Sequence, residues 1–444
     1  MAAEDERRFG RFPGEGGAER PWRSVSMARV CLIASATLVL GLAAWWLQRL
    51  GGSPLPEPIR VGVLHSFSGT MAISERAVAE ATLLAIEEIN ATGGLLGRTI
   101  EPVVADGGSE PSSFAAEAQR LIAESQVQVI FGCWTSASRK NVKPVVERYR
   151  HLLFYPVQYE GLEASPHIVY TGSAPNQQIL PGVKWAFDHL GKDFFLVGSD
   201  YVFPRTANAI IKDQLAALRG RVVGEEYVLL GSADVREVVH KIVQTRPTVI
   251  LNTINGSSNV AFFRELRAMG VTPERIPTMS FSIAEQELQT LGVREMVSDY
   301  AAWSYFQSVG SPNNASFVRR FRERYGADRV TDDPIEAGYF GVYLWAQAVR
   351  DAGTPEPAAV RRTVGNQSFN APEGIVYVDA ENQHTWKTVR IGQVREDGQF
   401  AILWTSEWAI RPLPYPPFRL RPDWELFLDD LYHSWGGHWA NPGT

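Results

Sequence analysis

Seven short segments hold the side chains best suited to contact or transform a small molecule: Ser66–Thr70, Asp106–Ser109, Cys133–Ser138, Tyr155–Tyr159, Ser199–Phe203, Asn252–Ser257 and Phe281–Glu285. All are rich in hydroxyls, amides and aromatic rings and poor in charge. Ser136 opens a helix, so its hydroxyl lies beside free backbone N–H groups, although a plain helix cap has the same signature. Trp134 precedes it. Tyr155 and Tyr159 flank the Gln158 amide, in a pattern that also suits a packing turn. Tyr201 and Phe203 begin another helix, where Asp200 could be only a cap and the two rings only core. Ser282 and Glu285 end a further strand, and Glu285 could simply complement a helix dipole. No single loop is specific. Their recurrence at the same end of successive strands favours a pocket over seven coincidences.

The same residues give little sign of catalysis. Cys133 could be pictured as an amidase nucleophile with Lys140 nearby, but it directly follows an apolar strand, where free cysteine behaves as a small buried hydrophobe. The eight histidines have no metal-ligand spacing. There is no Walker loop and no nucleophile elbow. Gly93–Gly97 follows a helix and precedes a strand, the wrong order for a dinucleotide loop. We therefore expect no catalytic residue, no metal and no cofactor, and a chain that is not an enzyme.

Those loops need strands and helices to position them. Ile59–Leu64 reads as a buried strand, and Ser74–Asn90 as a helix with Ala77, Val78, Ala81, Leu84, Ala85 and Ile89 at helical spacing. Gly93 or Gly94 suits a left-handed stop. Strand and helix signals then alternate through Arg98–Ala105, Ser112–Glu124, Val127–Phe131, Ser136–Arg150 and Leu152–Phe154. They restart at Asp193–Val197 and continue through Pro204–Leu218, Arg221–Val228, Val235–Thr245, Thr248–Leu251, Ser257–Met269 and Pro277–Ser280. Gly374–Asp379, Trp386–Arg395 and Gln399–Trp404 read as β-hairpins. Alternating units of this kind predict parallel sheets with helices on both faces, and two such series predict two doubly wound α/β lobes. Ligands then bind beyond the carboxyl ends of the strands.

The 444 residues are 45% hydrophobic and 21% charged, which excludes wholesale disorder, and a formal charge of −6 argues against nucleic acid as a partner. Two cysteines, Cys31 and Cys133, exclude a zinc-ribbon scaffold. Val30–Leu47 is an uncharged apolar run preceded by Arg20, Arg23 and Arg29 and ended by Trp45 and Trp46. It predicts a transmembrane signal anchor over 30–48, after a flexible cytoplasmic tail (1–29) and before a Pro/Gly linker (49–58). A cleaved signal peptide is the alternative, and both export the body. The single-pass reading places that body on the periplasmic or extracellular face of the membrane.

The runs IRVGVLHSFSGTMAISE, INATGGLLGR, FGCWTSASRKNVKPVVE, LLFYPVQYEGLEASPHIVYTGSAPNQQ and VGSDYVFPR resemble the type I periplasmic solute-binding proteins. Within that family they are most similar to the branch that binds urea and short-chain amides, over about Ile59 to Arg411. The resemblance implies two Rossmann-like lobes joined by three crossovers and closing on one small solute. The lobes are expected at about 59–175 with 303–370, and 176–302 with 371–411. It implies ligand contacts at Trp134, Ser136, Tyr155 and Tyr201. Val157 and Gln158 match the urea-type pair, Phe203 replaces a Tyr of the amide sensor, and Phe281–Glu285 differs from both.

Urea is flat and neutral, with four N–H donors and one acceptor. Ser136, Gln158, Ser282 and Glu285 would serve as edge groups, and Trp134, Tyr155 and Tyr201 as walls. The expected partners are a small neutral solute, ABC permease subunits and, through the amino-terminal helix, the membrane. A sensor role with a signalling partner is the second reading, and an amide hydrolase the third. Residues 412–444 read as a strap ending in a short helix, with Trp424, Phe427, Leu428, Leu431, Tyr432 and Trp435 on one face.

Overall fold

The computed structural model describes residues 56–443, together with Met27, Leu32 and residues 35–42. The chain divides into two units, Met1–Pro56 and Glu57–Thr444. In the first unit residues 35–42 are helical and exposed. Among the described residues no helix is long and apolar enough to cross a membrane. The rest of the expected 30–48 anchor lies outside the described residues, as do the 1–29 tail apart from Met27 and the 49–55 part of the linker.

The second unit opens with a sheet in which every pairing is parallel. Its strands are β1 (Ile59–His65), β2 (Ile100–Asp106), β3 (Ile130–Gly132), β4 (Leu153–Tyr155) and β5 (Ile168–Tyr170), in the order β2-β1-β3-β4-β5. The helices α1 (Ala72–Ala91), α2 (Pro111–Ala123) and α3 (Ser136–Arg148) connect them. The six apolar α1 positions chosen by periodicity are all buried, because α1 is packed between the sheet and the helix Asp333–Ala352.

After α4 (Ile179–His189) the winding repeats. The elements are β6 (Asp193–Ser199), α5 (Val202–Leu218), β7 (Arg221–Val228), α6 (Arg236–Thr245), β8 (Val249–Thr253), α7 (Ser258–Ala268), β9 (Thr278–Ser280), α8 (Glu285–Leu291) and β10 (Tyr300–Trp303). The chain then returns to the first core, where Phe317 and Phe321 of α9 (Pro312–Tyr325) and most of α10 (Asp333–Ala352) are buried. Helix α11 (Pro357–Thr363) leads to a small antiparallel sheet of β11 (Ser368–Ala371), β12 (Gly374–Val378) and β13 (Thr385–Trp386). The hairpin β14 (Arg390–Val394) and β15 (Phe400–Thr405) extends the second sheet antiparallel to β10. That sheet runs β15-β14-β10-β9-β8-β6-β7.

Strands β5, β10 and β11 have three or four residues, too few to show a period, and the sequence did not mark them. The 371–411 stretch expected in the second lobe is divided. Ala371, Val376 and Val378 pack in the first core, because β12 lies beside β11 under α10, and only β14 and β15 join the second sheet.

Residues 411–443 run back along the body. Helix α12 (Arg421–Ser434) buries Trp424 and Leu428 in the core around α4 and α5. Arg419 makes a bidentate pair with Asp213 of α5 at 2.6 and 2.9 Å.

Candidate functional site

The turn from β3 into α3 is built on close backbone approach. A Cβ on Gly132 would lie 2.0 Å from Leu64 O, and Cys133 holds a left-handed φ of 66° while its N–H donates to that same carbonyl at 2.9 Å. The strained turn presents Trp134, Thr135 and Ser136 beyond the sheet. Thr135, rather than Ser136, is the helix cap: its side chain accepts the Ser138 N–H. The Ser136 hydroxyl is thereby left for other work.

That work is a buried ionic network. The Ser136 hydroxyl donates to the Glu160 carboxylate and accepts from Arg139 Nη1 at 2.9 Å. Arg139, fully buried, pairs with Glu160 at 3.1 Å and with Glu163 at 3.0 Å. Lys140 reaches Glu163 at 3.4 Å, and the Tyr170 hydroxyl donates to it at 2.8 Å. Burial alone would raise the Glu163 carboxyl, but the Arg139 and Lys140 charges outweigh it and hold it at about 2. Two formal positive charges thus meet two negative ones.

The guanidinium also lies 4.9 Å from the Tyr155 ring centre and 4.4 Å from that of Tyr159. Tyr159 is edge-on to Tyr155, stacks on Tyr170, and its hydroxyl is hydrogen-bonded to His384. Arg139, Glu160, Glu163 and His384 were not singled out from the sequence. Only the RK at 139–140 and the two glutamates after Tyr159 hinted at them, and nothing in the spacing said that they meet.

Tyr155 is fully buried, and its hydroxyl donates to Trp134 O at 2.5 Å. Tyr201, from the β6–α5 turn of the second sheet, shares a buried apolar cluster with Ala137 and Leu162 of the first-lobe loops. Burial is the leading cause that raises both phenols, and both stay protonated. Phe203 packs beside Tyr201, with ring centres 6.2 Å apart. The Gln158 amide crosses to the second lobe and donates to Phe281 O at 3.0 Å. Further bonds close the same seam: Thr70 Oγ1 to Ser257 Oγ at 2.8 Å, and Ser74 Oγ to Glu287 at 2.6 Å. Trp134 Nε1 and Gln158 Oε1 are buried without a hydrogen-bond partner among the described residues.

Ser282 and Glu285 sit differently. The Ser282 hydroxyl donates to Ile254 O, a contact within the second lobe. Glu285 accepts the Gln307 N–H at 2.7 Å, beneath the segment by which the chain leaves β10. Burial, with the nearby Glu287 and Asp333 carboxyls, pushes Glu285 up to about 8. The structure therefore brings Trp134, Ser136 and Tyr155 together, sets Phe203 beside Tyr201, places Gln158 on the seam at Phe281 and holds Ser282 to Ile254 within the second lobe. It sets Glu285, whose Oε2 is buried without a partner among the described residues, against Gln307 on the segment that returns to the first core.

Cys133 is fully buried. Desolvation, and then the Glu75 charge, hold its thiol far above the ordinary range, so it has no thiolate with which to attack a substrate. No group of His, Cys, Asp or Glu among the described residues is arranged to hold a metal ion.

Comparison with known proteins agrees with this architecture. The periplasmic binding protein domain family matches residues 59–421. Leu/Ile/Val-binding protein homolog 7 of Brucella suis biovar 1 (strain 1330) is 22% identical over 390 residues, covering 82% of this chain and 96% of that one. Limonene hydroxylase of Geobacillus stearothermophilus is 32% identical over 127 residues, and the chain spans only 23% of that enzyme's length. Among solved structures, a solute-binding protein of an ABC transporter from Rhodopseudomonas palustris HaA2, in complex with p-hydroxybenzoic acid, has a TM-score of 0.72 at 24% identity. It covers 79% of this chain and 97% of that one. A leucine-binding protein from Thermotoga maritima MSB8 has a TM-score of 0.69 at 19% identity, covering 78% and 98%. At these identities the two structures show the fold.

Proposed function

The chain belongs to the periplasmic binding protein family, and from that premise we propose that it captures urea or a short-chain amide outside the cytoplasm and delivers it to an ABC importer. The amino-terminal apolar run would tether it to the membrane. The observation that carries the ligand class is the charge balance under the cleft. Arg139 and Lys140 are matched by Glu160 and Glu163, so neither cation is left to hold a carboxylate. An aromatic acid or an α-amino acid would have to be held without a free cation, by hydroxyls and backbone N–H groups alone. A neutral amide needs only donors and acceptors, and the unpartnered Trp134 N–H and Gln158 carbonyl supply one of each. The Tyr201 hydroxyl would add a third polar contact, with Phe203 completing the wall.

Recognition would follow lobe closure. Tyr155 and Trp134 would form the floor on the first lobe, and Tyr201 would close over them from the second. Bonds between the outer loops of the two lobes, such as Thr70 Oγ1 to Ser257 Oγ, would form as the lobes close. A four-atom solute at the best ligand efficiency, ~1.5 kcal/mol per atom, gains about −6 kcal/mol, a Kd of tens of micromolar. The test is calorimetric titration of urea, acetamide and formamide against leucine and p-hydroxybenzoate. Binding of an amide with no heat from either acid supports the reading. Binding of an acid alone overturns it.

A further inference from the structure

The carboxyl-terminal segment lies across the mouth of the cleft. After α12, Gly436 and Gly437, both at positive φ, turn the chain back. The returning strand is bonded to the β6–α5 turn that carries Tyr201. Val202 N–H donates to Trp439 O at 2.9 Å, Asn441 N–H to Asp200 O at 3.0 Å, and Asn441 Nδ2 to Asp200 Oδ2 at 2.7 Å. Ala440 pairs with Tyr201 as an antiparallel bridge. These contacts belong to the second lobe. On the first lobe the Lys140 ammonium lies 4.7 Å from the centre of the Trp439 ring, which is itself 4.5 Å from that of Tyr432. Between this segment and the first-lobe loops lies a cavity of about 640 Å³, walled by Thr70, Ser109, Thr135, Asn141, Leu230 and Trp439 among others.

We propose that residues 438–442 form a latch on the cleft: they ride on the second lobe and seat Trp439 on Lys140 when the lobes close, so that they set the rate at which solute leaves. The arrangement is asymmetric in the way a latch requires. Three hydrogen bonds hold the segment to one lobe, while toward the other it has the Lys140–Trp439 cation–π contact and apolar packing near Ala137 across the cavity. The proposal rests on the reading of the cleft as the solute site, and its test separates the two.

The experiment uses the full chain, Trp439→Ala, Trp439→Phe and a chain ending at Gly437. Hydrogen exchange without solute is followed in the segments 133–141 and 155–163, which make no backbone hydrogen bond to residues 438–442. Faster exchange in both segments on Trp439→Ala and on truncation, restored by Trp439→Phe, is expected. With acetamide and urea as probes, stopped-flow dissociation should quicken by about 2-fold to 30-fold, the range of one cation–π contact. Altered exchange confined to residues 199–205, with dissociation unchanged, would overturn the latch. If neither probe binds the parent chain, the solute reading fails and the exchange data decide the latch alone.

Discussion

Replacing Glu160 with Gln should convert a neutral cleft floor into a cationic one. Gln can still accept from Arg139 and can donate to Ser136, but removing one carboxylate from a fully buried ion network costs the fold about 3–5 kcal/mol. The Arg139 charge is then matched by Glu163 alone while Lys140 remains, and the network carries one net positive charge. The Arg139 guanidinium carbon lies 4.9 Å from the centre of the Tyr155 ring. A solute stacked on the opposite face adds ~3.5 Å, so the separation is about 8 Å. At an effective dielectric near ~20 the attraction for a unit negative charge is about 2 kcal/mol, roughly 30-fold in affinity. The assay is competition calorimetry of acetate against acetamide, two solutes of nearly equal shape. The acetate-to-acetamide affinity ratio should rise at least ~10-fold in Glu160→Gln and fall as salt is added. An unchanged ratio in a folded variant would refute the argument that charge balance selects the ligand.

Tyr155→Ala and Ser136→Ala should each weaken amide binding by at least ~1 kcal/mol in calorimetry, and unchanged affinity in both would remove the assignment of this floor. Glu285, held at about 8 in the fold against 4.5 for an ordinary glutamate, binds its proton more tightly when folded. Its contribution is therefore full below about 4.5 and is lost as pH rises through about 8, with a slope of at most ~1.4 kcal/mol per pH unit. Glu285→Gln should flatten the fall in Tm between pH 6 and 8.5, and an unaltered profile would show that another group sets it. The buried, protonated Cys133 thiol should resist Ellman's reagent in the native protein and react once it is denatured. The native protein should release no ammonia from urea or acetamide.

Much of the architecture was written in the sequence. Parallel strands buried on both faces appear as unbroken apolar runs such as IRVGVL, and α1 as an apolar stripe of helical period, because each pattern records how many faces an element must bury. The loops at the strand ends were legible for the same reason: a strand's end is known once the strand is known. Strands of three or four residues carry no period, so β5, β10 and β11 escaped while the equally short β3, β4 and β9 were read.

The site itself divides along the same line. Trp134, Tyr155, Gln158 and Tyr201 were legible as residue types at strand ends. That Ser136 meets Glu160 and Arg139, that His384 closes the Tyr159 stack, that Ser282 bonds to Ile254 and that Glu285 meets Gln307 could not be read from the chain. Such contacts join residues up to 225 positions apart, as Tyr159 and His384 are. Burial and Coulomb attraction act through space, so only the packed structure determines which buried charges cancel, and that cancellation is what argues for a neutral solute. Sequence alone determined that two wound α/β lobes would raise a ring of polar and aromatic loops. Tertiary structure alone decided which of those side chains face each other and which hold their own lobe together.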